Sequence, residues 1–328
     1  MTVLTNVFPD LARTGDRPID LLVVGDTGVD LLVQVDELPK RDSKSIGTSL
    51  GIFAGGMGAS FASSARRAAE DLEIALVSRV GSDAFGRACL LDLADQRIGT
   101  ALVETMADEM TWWCAVAIAD DGEKSLLGGR SPASLPGPEQ VDQAALTSAR
   151  WLHVLGDVPG SEDIVRRAAD VGTLTSVDIE GSFVRTDRGR AEELLRTASL
   201  SVLNEESLHG LAGLDDVHEA LVELLGRNER SSAILLTLGT AGSLFAWRAE
   251  DGALQTIRQA AEPVARVVDT TGAGDSFAGA WVGRALAGDD LTRALATAAS
   301  SAALTITHFG ARQGGLPNWT TTNTKDAL

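Results

Sequence analysis

The sequence predicts an α/β fold: a three-layer core on a mainly parallel sheet, with a small β-sheet lid beside it. Three observations carry this reading. Short apolar runs ended by glycine or an acidic residue recur along the chain, as strands buried on both faces do. From residue 80 onward, stretches of helical periodicity separate most of these runs, and such alternation builds a parallel sheet covered on both sides. Segments 30–50 and 108–130 break the rhythm, offering strands with no helix between them. The 328 residues suffice for one large domain.

The first strand is "IDLLVVG", residues 19–25, an apolar run ended by glycine. "DLLVQVDELP", 30–39, alternates more and ends in proline, as an exposed strand does. "IFAGGMGASFASSARRAAEDL" then reads as a glycine turn followed by a small-residue helix. Further strands are expected at 74–81, 112–120, 151–157, 174–180, 200–206 and 233–242. Among the intervening helices are "DAFGRACLLDLADQRI" and "SEDIVRRAADVG". "ADDGEK" reads as a hairpin turn around Gly122 that closes the second lid segment. The polar ends, 1–17 and 317–328, read as mobile tails around a folded domain of residues 18–316.

Composition narrows the partners. Lys and Arg number 28 against 46 Asp and Glu, a formal net charge of −18. So acidic a surface repels nucleic acid and anionic membrane, and a small molecule is the expected partner. No run of about 18 apolar residues is present, so no membrane span is expected. The first twenty residues lack a basic segment and a continuous apolar core, which argues against a signal peptide. Cys89 and Cys114 stand isolated in apolar surroundings and read as core thiols of a cytoplasmic protein. The sequon "NWT" at 318–320 then has no secretory context.

The chemistry concentrates in "DTTGAGD", residues 269–275, just before an alanine-rich helix with Phe277, Ala278, Trp281, Val282, Ala285 and Leu286 at helical spacing. Gly272, Ala273 and Gly274 form a bend almost free of side chains. Its amides lack helical partners and are backed by the positive end of the helix dipole, which makes an anion site. A carboxylate beside an anion site suffers repulsion unless it has a task. Asp275 therefore reads as a base that takes a proton from an attacking hydroxyl, with the 272–274 amides holding developing negative charge. The bland alternative is a glycine-rich helix cap with an ordinary first-turn acid.

The heptad resembles the signature of the ribokinase-like sugar kinases, the phosphofructokinase-B family, and other stretches are similar in family order from about residue 19 to 316. "VVGDTGVDLLV" resembles the family's first strand and its sugar-binding aspartate. "AGGMGAS" resembles the Gly-Gly substrate loop, and "VSRVGSDAFG" the strand and turn after it. "SVLNEES" is similar to the Asn-Glu motif, "LLTLGTAGSL" to the nucleotide strand and loop, and "ITHFGAR" to the closing loop. The resemblance implies a ribokinase-like three-layer Rossmann-type core with a β-sheet lid, and an ATP-dependent kinase acting on a ribose-, fructose- or ketohexose-like sugar. It implies Asp275 as base, Gly272, Ala273 and Gly274 as anion hole, and Asp30, Gly55, Gly56 and Ser60 at the sugar. Asn204 would organise phosphates and Mg2+, with Glu205 a candidate second ligand through water. Thr237, Gly239, Thr240, Gly242 and His308 would lie along ATP. Asp269 and Thr271, with carbonyls of 307–312, would line a K+ site.

Some positions depart from the family pattern. Ser60 stands where the family carries asparagine, Met57 where ribokinases have lysine, and Ser207 where a second acid follows the Asn-Glu motif. Serine is shorter and offers one donor, so substrate contacts differ there. Trp112 and Trp113 are adjacent and face opposite sides of a strand; Trp112 is the candidate to stack on a sugar. Asp157 and Asp178 end strands where α/β folds place their sites, and each is a candidate substrate contact. His153 reads as structural, and no His/Cys cluster has the spacing of a zinc site. A nicotinamide oxidoreductase fits poorly, because "GGMGASF" lacks the third glycine of a dinucleotide fingerprint. A nucleoside kinase of the same family and a catalytically silent sugar sensor are the alternatives. The exposed lid edges suggest a homodimer.

Overall fold

The apolar runs of the sequence alternate between two core faces, and this sets the architecture. The structure, a computed structural model, describes residues 3–12, 17–119, 124–227, 233–312 and 316. Thirteen strands are seen among the described residues. They are β1 (Ile19–Val24), β2 (Gly28–Val35), β3 (Thr48–Gly55), β4 (Ile74–Gly81), β5 (Val103–Met106), β6 (Trp113–Ala119), β7 (Lys124–Gly129), β8 (Ala149–Leu155), β9 (Leu174–Ile179), β10 (Leu200–Asn204), β11 (Ala233–Thr237), β12 (Ser243–Arg248) and β13 (Leu254–Gln259). Nine form one sheet in the order β13-β12-β11-β10-β9-β8-β1-β4-β5, parallel except for the β11–β12 and β12–β13 pairs. β3-β2-β6-β7 form the separate small sheet, in which only β2 and β6 run parallel.

Odd and even positions of β1 show why both faces are covered. Leu21 and Val23 pack with helices Met57–Ala68, Ala273–Leu286 and Leu291–Thr305. Leu22 and Val24 pack on the other face with Leu146, Ile164, Leu194 and Leu221 from the opposite helix layer. A continuous apolar run is what a strand needs when both its faces meet helices. The Gly/Ala content of the Ala273–Leu286 helix has a packing cause as well: a Cβ on Gly279 would lie 2.2 Å from Phe61 O of the Met57–Ala68 helix. Only small residues allow those two helices to approach this closely.

The structure corrects the sequence reading in several places. Residues 3–12, read as part of a mobile tail, form a helix at Val3–Val7 and a 3-10 turn at Pro9–Ala12. Leu4, Val7, Phe8 and Leu11 repeat at helical spacing and are buried in the core. β3 occupies residues read as loop and glycine turn, and the second expected strand ends at Val35 rather than running to 39. The expected 233–242 strand stops at Thr237, and the antiparallel pair β12–β13 follows it. Residues 120–123 of the expected turn around Gly122, the tail 317–328 and the sequon at 318–320 lie outside the described residues.

Phe8 meets Trp151 edge-on at 5.4 Å between ring centres and contacts Phe245 and Trp281 at 6.4 and 6.3 Å. Replacing it by alanine should cost about 3–5 kcal/mol through the lost burial and the cavity left behind. Denaturant unfolding of Phe8→Ala measures this; a midpoint equal to that of the parent would show that residues 3–12 do not belong to the core.

Candidate active site

In a parallel sheet the strand ends that precede the helices share one edge, and ligands bind in the crevice outside them. Here that edge carries polar residues one after another. Asp26 follows β1, Asp157 follows β8, Asp178 lies near the end of β9, Asn204 ends β10 and Thr237 ends β11. All five line a cleft of about 1050 Å³, together with Asp30, Ser60, Trp112, Glu180 and residues 270–275. A second cavity of about 550 Å³ lies beside it, with walls that include Val264, Val267, Phe277, Ala299, Ala302 and Ile306. The two cavities share Thr237, Thr270, Ala273 and Gly274, so they meet over the start of the Ala273–Leu286 helix.

That helix start is built by backbone rather than by a side-chain cap. Gly272 is its N-cap at φ +74°, in the left-handed region, and no side chain caps the helix. A Cβ there would also press to 2.5 Å from the Ala311 Cβ, so glycine lets the closing loop lie against the bend. The Ala273 amide leans back to Thr270 O at 3.3 Å, and the first helical bond runs from Ser276 N–H to Gly272 O. The amides of Gly274 and Asp275 therefore precede the helix's own bonding pattern. Gly274 is exposed, and a Cβ there would meet nothing within 4 Å, so the space in front of the helix is open. Behind it, hydroxyl groups brace the first turn. Ser276 Oγ lies 2.8 Å from Ser301 Oγ and accepts the Thr305 hydroxyl at 2.8 Å, and Ser64 donates to Ser276 O at 2.6 Å.

Asp275 is half-buried at the junction of the two cavities. Its pKa stands well above the ordinary carboxylate range, first because burial penalises its charge, then because Asp178, Glu180, Asp26 and Asp30 repel it. Asp178 is likewise raised by burial, with Glu180 and Asp157 adding to it. Burial lifts Asp30 to about 7 against the attraction of Arg312, and Asp26 to about 6 against the Gly58 amide, which donates to it at 3.1 Å. A cleft that crowds carboxylates in this way is poised to receive a cation and proton-bearing hydroxyl groups.

The other residues singled out in the sequence are distributed as follows. Asp30 sits on β2 of the small sheet, not at the end of β1. It packs so closely on Gly55 that a Cβ there would lie 2.6 Å from its Oδ2. Gly56 at φ +91° and Ser60 both line the cleft, and Ser60 Oγ is buried without a hydrogen-bond partner in the protein. Trp112 faces the cleft, whereas Trp113 packs on the cluster around Val29 and Val80. Thr237, Gly239, Thr240 and Gly242 line the smaller cavity, but His308 lines neither; it is exposed, with Nδ1 beside Thr307 Oγ1 and Leu304 O. Glu205 also lies outside both cavities, exposed and 3.9 Å from His209. The Asn204 side chain accepts the Ser207 amide at 2.8 Å, and Ser207 Oγ accepts the Asn204 backbone N–H at 3.0 Å, so Ser207 serves a capping box. His153 is buried against Phe61 at 3.5 Å between ring centres, and burial pulls its pKa down to about 3.

Four residues of the site carried no assigned role in the sequence. Asp26 is one. Arg312 donates to Gly55 O at 2.7 Å and pairs with Asp92 at 2.8 Å, pinning the closing loop to the substrate loop. Arg130 pairs with Asp157 at 2.8 Å and lies over the Trp112 ring. Lys124 pairs with Asp269, whose Oδ1 also accepts the Thr271 amide and hydroxyl and whose Oδ2 accepts the Gly310 amide. Asp26 carried a sequence signal, an acid directly after the first strand, and Arg312 ends the closing-loop motif, whereas Lys124 and Arg130 carried none.

Asn204, Asp178 and Glu180 share the cleft edge with the open helix start, a donor set suited to a hydrated Mg2+ and phosphate oxygens. The weakly polar smaller cavity suits a nucleobase.

Comparison with known proteins accords with this geometry. Residues 19–319 match the model of the pfkB family carbohydrate kinases. A ribokinase of Arabidopsis thaliana is 28% identical over 302 residues, covering 89% of this chain and 77% of that protein. An ATP-dependent ribose-1-phosphate kinase of Halopiger xanaduensis is 26% identical, covering 90% and 94%. The solved structure of the Arabidopsis ribokinase complexed with ribose and ATP superposes with a TM-score of 0.73 at 25% identity, covering 89% of this chain and 94% of that one. With its fold, its two joined cavities and its DTTGAGD helix start, the chain belongs to the pfkB family of carbohydrate kinases, phosphotransferases with a hydroxyl group as acceptor.

Proposed function

We propose that this enzyme transfers the γ-phosphoryl of ATP to a hydroxyl of a small uncharged sugar of the ribose, fructose or ketohexose kind. The observation that carries this reading is the meeting of two cavities over one helix N-terminus with Asp275 at the junction. The acceptor lies in the larger cleft, where Asp30 and Asp26 take hydrogen bonds from its hydroxyls and the unpartnered Ser60 hydroxyl gains a partner. So many carboxylates disfavour an acidic sugar. Trp112 covers the acceptor from the small sheet, held by Arg130. The nucleotide base fits the smaller cavity, along Thr237, Gly239, Thr240 and Gly242.

Asp275, in its ionised form, takes the proton of the attacking hydroxyl, and the burial and neighbouring carboxylates that raise its pKa favour holding that proton once it is transferred. The Gly274 and Asp275 amides face the transferring phosphoryl group, with the helix dipole behind them. Mg2+, when bound, supplies charge neutralisation across the phosphates. Asn204, Asp178 and Glu180 are the residues that would hold it through water. The small sheet closes the cleft and keeps water from competing with the sugar.

ADP release with MgATP against pentoses, hexoses, keto-sugar acids and nucleosides tests this. We expect turnover on a neutral sugar and a loss on the order of 10²–10⁴-fold in kcat for Asp275→Asn, with sugar binding retained by calorimetry. An Asp275→Asn enzyme close to the parental rate removes the base role. Turnover on a nucleoside alone, or binding without turnover on every acceptor, would select one of the two alternative readings.

A homodimer through the small sheet is part of this proposal. Its outermost strands are β3, where Leu316 N–H donates to Ile52 O, and β7, and Ile46 and Leu127 nearby are 77% and 67% exposed. Light scattering should give twice the 34.2 kDa chain mass, and a single-chain mass dismisses the dimer.

A further inference from the structure

Lys124, the first residue of β7, reaches out of the small sheet to the loop that begins the catalytic helix. Its ammonium donates to Asp269 Oδ1, to Thr270 Oγ1 at 3.1 Å and to Thr271 Oγ1 at 3.3 Å. Three donors thus meet three oxygens of one short segment. Asp269 is almost fully buried, and among the described residues Lys124 is the basic side chain paired with it. Burial alone would raise the Asp269 pKa, but Lys124, Thr271 and Gly310 outweigh that effect and hold it below the ordinary range.

The oxygens that Lys124 engages include those expected to hold a potassium-type ion, the Asp269 carboxylate and the Thr271 hydroxyl. An ammonium group is a compact, fixed point charge comparable to such an ion. The donor set therefore does not fit a free monovalent cation in addition to Lys124, because its charge is already compensated from within the chain. We propose that the Lys124 ammonium takes the place of the monovalent cation beneath the anion-binding turn and makes the enzyme independent of potassium. Lys124 is then a positioning residue. It fixes the 269–272 segment through Asp269, and Asp269 in turn holds the closing loop through the Gly310 amide. Because Lys124 belongs to the small sheet, the same contact ties that sheet to the helix start. The inference rests on the kinase reading of this site.

The test compares the full-length parent with Lys124→Met in potassium chloride and in tetramethylammonium chloride at equal ionic strength, by melting temperature and by sugar-dependent ADP release. The parent should melt and turn over alike in both salts. Lys124→Met should lose roughly 10²-fold in kcat without potassium, as for a site displaced by about 1 Å, with little change in sugar KM. Potassium should restore most of that rate and raise the variant's melting temperature, and lithium should do neither. A parent that gains rate and melting temperature saturably with potassium overturns the proposal. So does a Lys124→Met enzyme at full rate without potassium, or one that is folded, slow and unresponsive to it. Should the variant not fold, the parent's potassium titration decides alone: a flat response supports the proposal and a saturable one overturns it. A parent inactive on every acceptor would sink the kinase reading, while the melting temperatures would still decide the role of Lys124.

Discussion

The crowding of negative charge at one edge of the main sheet is the constraint around which the site is organised. Asp26, Asp30, Asp157, Asp178, Glu180 and Asp275 all line one cleft. Left to themselves they repel one another, and burial adds to the cost of charging them. The chain supplies partial compensation at chosen points. Arg312 attracts Asp30, and Arg130 pairs with Asp157. Among the described residues no basic side chain offsets the charge of Asp275 or Asp178, so carboxylates dominate the centre of the cleft. A phosphoryl-transfer site that imports its own cation with the nucleotide fits this imbalance. It also has a thermodynamic sign. Asp30 binds its proton more tightly in the folded chain, so its contribution to stability is greatest below the ordinary carboxylate range and falls as pH rises through about 7.

The fold positions this charge by convergence. β1, β8, β9, β10 and β11 run parallel and end together, which sets five side chains in a row. The small sheet adds Asp30 and Trp112 from above. Three contacts then lock the layers: Gly272 against Ala311, Arg312 on Gly55 O, and the Gly310 amide on Asp269. Each joins the closing loop to a segment far away in sequence. The 269–275 turn is thereby held from several sides, the kind of preorganisation that phosphoryl transfer needs.

Much of this was legible in the sequence, because the signals were local. Buried strands announced themselves as apolar runs, and the DTTGAGD bend followed from glycine spacing before a helical pattern. The strand-end acids could be named because the topology of alternating strands and helices dictates where they point. The rest is set by contacts distant in sequence or by context that a local pattern does not carry. Leu4, Val7, Phe8 and Leu11 carry a helical period, but their short segment lies among polar residues and reads as a tail. β12, between β11 and β13, and the edge strand β13 both mix polar and apolar residues, and so lack the pattern of a continuous buried run. Lys124, Arg130 and Arg312 act across 145, 27 and 257 residues of sequence separation, to Asp269, Asp157 and Gly55. No local pattern names such partners, and the motif that ends in Arg312 does not reveal what that side chain reaches. Glu205 and His308 stand in suggestive motifs yet face solvent, because a helix start and a loop each expose one side.

The crowded-carboxylate account is tested most directly by a carbon-13 titration of the aspartate carboxylates in the ligand-free protein. The account predicts resonances titrating near pH 6 and pH 7, the latter lost in Asp30→Asn, and one displaced well above the ordinary carboxylate range that vanishes in Asp275→Asn. Aspartates that all titrate in the ordinary range, around pH 4, would contradict it.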